Sequence, residues 1–165
     1  MSPLLGTADV TLCGADAFCV PVAEGLKFPN GLVRGNDDLI YVPSSTHGDI
    51  KVYERLPNRT LHQIDEILTG YALDNINVDR KGDLYVSIFP RGIDVLKAFN
   101  DPWGSKAASA AIRITKGEDG YKMEKIIEDG FGEVLPASTT VVHDAKTGRL
   151  FFSSKSWRHS LRISN

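Results

Sequence analysis

Two short stretches concentrate the oxygen donors of this chain: Lys27-Phe28-Pro29-Asn30-Gly31-Leu32 and, 45 positions later, Ala72-Leu73-Asp74-Asn75-Ile76-Asn77. Each interrupts a strand-like apolar context with an asparagine, and the second places an aspartate before it. A carboxylate buried in a sheet without partners is costly, so Asp74 requires a cation or several hydrogen-bond donors. Asn30 also has a plainer reading, because Asn-Gly is a common turn pair in which both residues tolerate a left-handed backbone. The recurrence of Asp74-Asn75 at the equivalent place weighs against a bare turn role for Asn30. Asp79 and Asp83 flank Arg80-Lys81-Gly82 and read as turn residues. The four histidines, His47, His62, His143 and His159, do not cluster in sequence. His143 precedes Asp144, as a base beside an orienting carboxylate would, but "HDAKTG" reads first as a strand end and turn. The chain has no Gly-x-Ser-x-Gly elbow, which argues against a serine hydrolase of the α/β type.

The elements around these donors repeat. "FPNGLVRGNDDLIYVPSSTHGDIKVYE", starting at Phe28, aligns with "LDNINVDRKGDLYVSIFPRGIDVLKAF", starting at Leu73. Both carry Asn at the third position, an apolar-alternating strand, a polar turn, and a second strand built on Asp-Leu-(Ile)-Tyr-Val. A third strand follows in each, "GDIKVYE" or "GIDVLKAF". A weaker copy starts near Ser138, "STTVVHDAKTGRLFFSSKSWRHSLRI". Short strands recurring every 45 or so residues match the four-stranded blade of a β-propeller. The fold class is therefore all-β, with about three propeller blades in one partial domain over residues 1–165 and units starting near 28, 73 and 138. "TLHQIDEILTG" reads as the outer strand of a blade, Asn100 to Ala111 as an irregular insertion, and "GEDG" at Gly117 to Gly120 as a hairpin turn before "YKMEKIIED".

An open arc of three blades leaves strand edges exposed. Either two chains assemble into a closed ring, or the sequence is the later portion of a longer protein; the second is preferred, since repeat arrays normally need all their neighbours.

Composition narrows the function classes. With 165 residues, 42% hydrophobic and 24% charged, the chain is ordinary globular material with enough length for one core. A net charge of -2 and scattered Lys and Arg give no basic field for nucleic acid. No window reaches the roughly 20 apolar residues of a membrane span, and Met1 to Gly6 lacks the pattern of a signal peptide, so localisation stays open. Two cysteines, Cys13 and Cys19, exclude a four-thiolate zinc site within one chain. "DVTLCGADAFCVPVAEG" reads as strand, turn, strand, which favours a local disulfide over two free thiols. Asn58-Arg59-Thr60 is a glycosylation sequon that matters only in the secretory pathway.

"AEGLKFPNGL", "LDNINVDRKGDLYV" and "LPASTTVVHDAKTGRLFF" resemble, in order and spacing, the C-terminal half of the serum paraoxonase/arylesterase family, calcium-dependent six-bladed propellers that hydrolyse lactones and aryl esters. The resemblance runs from Ala23 to Leu161. It implies calcium as the cofactor, with Asn30, Asp74 and Asn75 among its ligands, and it implies that Phe28 lines the substrate pocket. Calcium takes six to eight hard oxygen ligands and accepts carboxylate and amide oxygens together, so three such donors make about half a shell. The resemblance further implies a small-molecule ester or lactone as substrate, polarised by the metal while a base activates water. It assigns that base to histidines of the N-terminal half, together with two further calcium ligands. Phe89 departs from the pattern, standing where many animal relatives carry a His near the pocket. Family members place pocket-rim residues at the positions of Trp157 and His159. The chain alone is thus expected to be a partial or truncated hydrolase whose own activity is open. The competing expectations are a non-catalytic truncated propeller or binding scaffold, and a strictosidine-synthase-like or gluconolactonase-like propeller.

Overall fold

In a computed structural model, residues 7–101 and 105–154 are described. Twelve strands and one helix follow one another: β1 (Thr7–Cys13), β2 (Cys19–Lys27), β3 (Val33–Arg34), β4 (Ile40–Pro43), β5 (Asp49–Arg55), β6 (Leu61–Leu68), β7 (Ala72–Val78), β8 (Leu84–Phe89), α1 (Gly92–Asn100), β9 (Ser109–Gly117), β10 (Gly120–Asp129), β11 (Ser138–Asp144) and β12 (Arg149–Ser154). All pairing is antiparallel between chain neighbours, giving two four-stranded sheets, β3-β4-β5-β6 and β7-β8-β9-β10. Two-stranded hairpins, β1-β2 and β11-β12, stand before and after them. The all-β reading holds. The described residues therefore make two complete blade-like sheets flanked by two hairpins.

Face-to-face stacking of successive sheets builds the core. Ile50 and Val52 of one sheet pack with Leu73, Ile76, Val86, Ile88, Ile112 and Ile114 of the next. Tyr85 and Ala111 pack with Val141 and Phe152 of the last hairpin, and Leu26 of the first hairpin packs with Val42 and Tyr53. A central strand packed on both faces has no solvent side, and β8 is accordingly buried at every position, unlike the period-two pattern of a half-exposed strand. The outer strand β6 is the opposite case, "LHQIDEIL" with mostly exposed polar side chains, whose charges suit an uncovered sheet edge. It is a strand, as its place in the repeat implies.

Two expectations are corrected. "GIDVLKAF" is the helix α1, and the third strand of the second sheet is β9, "SAAIRITKG". Its apolar residues have helical spacing: Val95 and Ala98, three apart, are both buried against Phe89, Ala107 and Ala137. A helix is thus inserted between the second and third strands, and β9 already begins at Ser109 inside the stretch read as irregular. The hairpin turn at Gly117 to Gly120 and the strand after it stand as read. Cys13 and Cys19 sit opposite each other in the first hairpin and form a disulfide. The stretch carrying Trp157 and His159 lies outside the described residues.

Candidate functional site

The donors sit near the start of β7 and in the loop between β2 and β3, beside the start of β11. Leu73 pairs with Ile88 and Ile76 with Val86, so Asp74 and Asn75 together oppose the single residue Ser87. This is a β-bulge, which bends a strand and re-aims its side chains. It also brings Leu73 and Ile76 into the same core cluster, which strict alternation would forbid for residues three apart. A second irregularity lies at the start of β11, where Thr139 is the extra residue. The two bulges meet, because Asn75 Nδ2 donates to Thr139 O at 3.0 Å.

The loop from Phe28 to Leu32 is held by the turn after β4. Asn30 N donates to Pro43 O (2.9 Å), Ser45 N to Phe28 O (3.1 Å), and Ser44 Oγ to Lys27 O (2.6 Å). Phe28 has φ of 47° and Gly31 φ of 76°, both in the left-handed region. Gly31 has a reason to lack a side chain: a Cβ there would stand 3.2 Å from Asn75 Oδ1. The loop carrying Asn30 is thereby pressed against the carbonyl end of Asn75 in the neighbouring sheet.

Within this corner both asparagines use their NH2 groups on protein acceptors. Asn30 Nδ2 donates to Ser45 Oγ (3.2 Å), and Asn75 Nδ2 donates to Asp74 Oδ1 (3.1 Å) as well as to Thr139 O. Their carbonyl oxygens are the ends that remain for a ligand. Asp74 is 6% exposed. One carboxylate and two amide oxygens form a hard donor set that could hold a cation of the calcium type. The described residues contain no group of three or more His, Cys, Asp or Glu placed to hold a metal, so a cation held at this corner would rely on amide oxygens beside Asp74. Phe28, half exposed, stands on the same loop as Asn30.

The remaining polar residues of these strands do other work. Asn77 Nδ2 donates to Val141 O (2.9 Å) and, with Asn75, ties β7 to β11. The period-two spacing of Asn75 and Asn77 was the available sequence signal for that tie. Asp79 and Asp83 are turn residues, as read, with Asp79 N bonded to Asp83 O. Each also has a longer-range partner, Asp79 with His143 Nδ1 at 2.7 Å and Asp83 with Arg113. His143 stacks on Tyr85 with ring centroids 4.6 Å apart. Asp144 instead closes its own turn through Lys146 N and Thr147 Oγ1, so His143 and Asp144 form no dyad. His143 and Asp79 lie at the far end of β7 from Asp74, roughly 16 Å away at strand rise. His62 is exposed on the edge strand, and His47 is exposed in the turn beside Ser45. Ser45 itself carried no sequence signal, because serine in a polar turn is unremarkable.

Comparison with known proteins adds a lineage to this geometry. Residues 8–152 match the family model described as Arylesterase. Serum paraoxonase/arylesterase 2 of Rattus norvegicus is 33% identical over 73 residues, 43% of this chain and 21% of that protein. A crystal structure described as a candidate gluconolactonase superposes with a TM-score of 0.58 at 15% identity, over 89% of this chain and 48% of that one. Virginiamycin B lyase from Staphylococcus aureus gives 0.50 at 11% identity, over 97% of this chain and 42% of its own. At those identities the two structures speak for the fold alone, and the chain spans less than half of each.

Proposed function

The chain belongs to the arylesterase family, and from that premise we propose that it is the part of a calcium-dependent lactone and aryl-ester hydrolase that brings Asn30, Asp74 and Asn75 to the metal. The observation that carries this reading is the orientation of the two amides. Both NH2 groups point at protein acceptors, beside a buried carboxylate on a bulge. Asp74 brings the negative charge, and Asn30 and Asn75 bring neutral carbonyl oxygens from two adjacent sheets. Calcium, when bound, supplies polarisation of the substrate carbonyl and stabilisation of the oxyanion that develops on it.

Phe28 offers an apolar face to the ring of an ester or lactone at the rim of the same corner. Three donors fall short of the six to eight that calcium takes, so water, backbone carbonyls or donors from a longer chain or a second copy complete the shell. The base that activates water is neither His62, on the outer edge, nor His143, which with its partner Asp79 lies beyond the far end of β7, roughly 16 Å from Asp74 at strand rise.

An assay of the 165-residue chain on an aryl acetate and a simple lactone, with and without a calcium chelator, tests the proposal. Calcium binding that is lost in Asp74→Ala is expected, and any turnover should disappear on chelation and in the same variant. Turnover indifferent to both would sink the metal role, and absence of both turnover and calcium binding would sink the reading for this chain.

A further inference from the structure

Ser45 touches three parts of the corner at once. Its amide donates to Phe28 O at 3.1 Å, its hydroxyl donates to Leu73 O at 2.6 Å, and the same oxygen accepts from Asn30 Nδ2 at 3.2 Å. Leu73 is the residue before Asp74, on the neighbouring sheet. A serine hydroxyl has one proton and two lone pairs. A backbone carbonyl can only accept, so the proton is committed to Leu73 and the oxygen can only accept from Asn30. An Asn30 amide turned the other way would set its carbonyl oxygen against a hydroxyl with no proton to give.

We infer that Ser45 is a positioning residue for the proposed cation site: it fixes which end of the Asn30 amide faces the site and ties that amide to the strand carrying Asp74. The inference rests on the reading of this corner as a cation site. Asn75 is oriented by the same logic with different partners, since Thr139 O and the Asp74 carboxylate are both acceptors and only its NH2 can face them. The corner thus orients one amide through a side chain and the other through the backbone of β11. Only the first can be removed by substitution without touching a donor.

The test is a titration of calcium, and of terbium luminescence as a second readout, on the 165-residue chain and four variants. Loss of an orienting partner commonly weakens metal affinity by about 10- to 100-fold, so Ser45→Ala should weaken binding by at least about tenfold. Ser45→Thr, which keeps the hydroxyl, should bind close to the parent. In an Asn30→Ala background, the further change Ser45→Ala should have no effect on affinity, whereas a general loosening of the loop would act in both backgrounds. Parent-like binding by Ser45→Ala, or an equal effect with and without Asn30, would overturn the inference while leaving the site intact. An unvaried chain that binds neither ion would overturn the site itself, and that is visible before any variant is made.

Discussion

Asp79, in the turn after β7, is firmly anchored, its side chain 1% exposed and bonded to His143 Nδ1 and to the amides of Lys81 and Asp83. Burial pushes its carboxyl up, but the bonds from His143 and from the two amides outweigh burial and hold it below the usual range. A depressed carboxyl contributes stability that is complete above its unfolded value of about 3.9 and lost as pH falls through the lower folded value. Removing the partner with His143→Ala should therefore cost about 2 kcal/mol at neutral pH. It should also flatten the loss of stability on acidification, as denaturant melts at neutral and strongly acidic pH will read. Gly31→Ala belongs to the other end of the strand. A side chain there enters a left-handed backbone and meets Asn75 Oδ1, so about 1 to 2 kcal/mol of stability should go together with calcium affinity. Phe28→Ala, at a half-exposed position, should leave the melting temperature nearly unchanged and raise KM for aryl esters more than for small lactones.

Among the elements, the strands follow closely from the sequence and the helix does not. Alternation in "GDIKVYE", with Ile50 and Val52 inward, fixes β5 because the period of two has no rival there. "GIDVLKAF" matched the same place in the repeat, yet its buried pair is Val95 and Ala98, and the length up to β9 leaves room for a helix. Alignment to a repeat hid a period that the residues themselves carried. The bulge at Asp74 was likewise invisible, because pattern reading assumes an unbroken ladder, although it explains why Leu73 and Ile76 are both core residues. The sequence singled out Asn30, Asp74 and Asn75; it could not show how the two amides are turned, which depends on Ser45 and on Thr139 O from distant parts of the chain. The first hairpin has its own test. Replacing Cys13 and Cys19 with serine opens a short loop and should cost about 2 kcal/mol. Hydrogen exchange should report faster opening of β1 and β2 and little change in β8.

At the scale of the whole molecule, four stacked sheets bring the starts of β7 and β11 and the loop before β3 side by side, so that donors from adjacent sheets share one corner. No helix among the described residues is long and apolar enough to cross a membrane. A ligand that binds only the folded corner must stabilise the stack it joins, by about 2.7 kcal/mol at a hundred times its dissociation constant. For a chain of this size each kcal/mol moves the melting temperature by about 2 to 4 °C. The most direct measurement is therefore the thermal midpoint of the 165-residue chain across a calcium titration, beside Asp74→Asn, which keeps the shape and removes the charge. A rise of several degrees with calcium, absent in Asp74→Asn and not reproduced by matched sodium chloride, is the predicted result. An unchanged midpoint, or an equal rise in Asp74→Asn, would contradict the assignment of Asn30, Asp74 and Asn75 as a metal site.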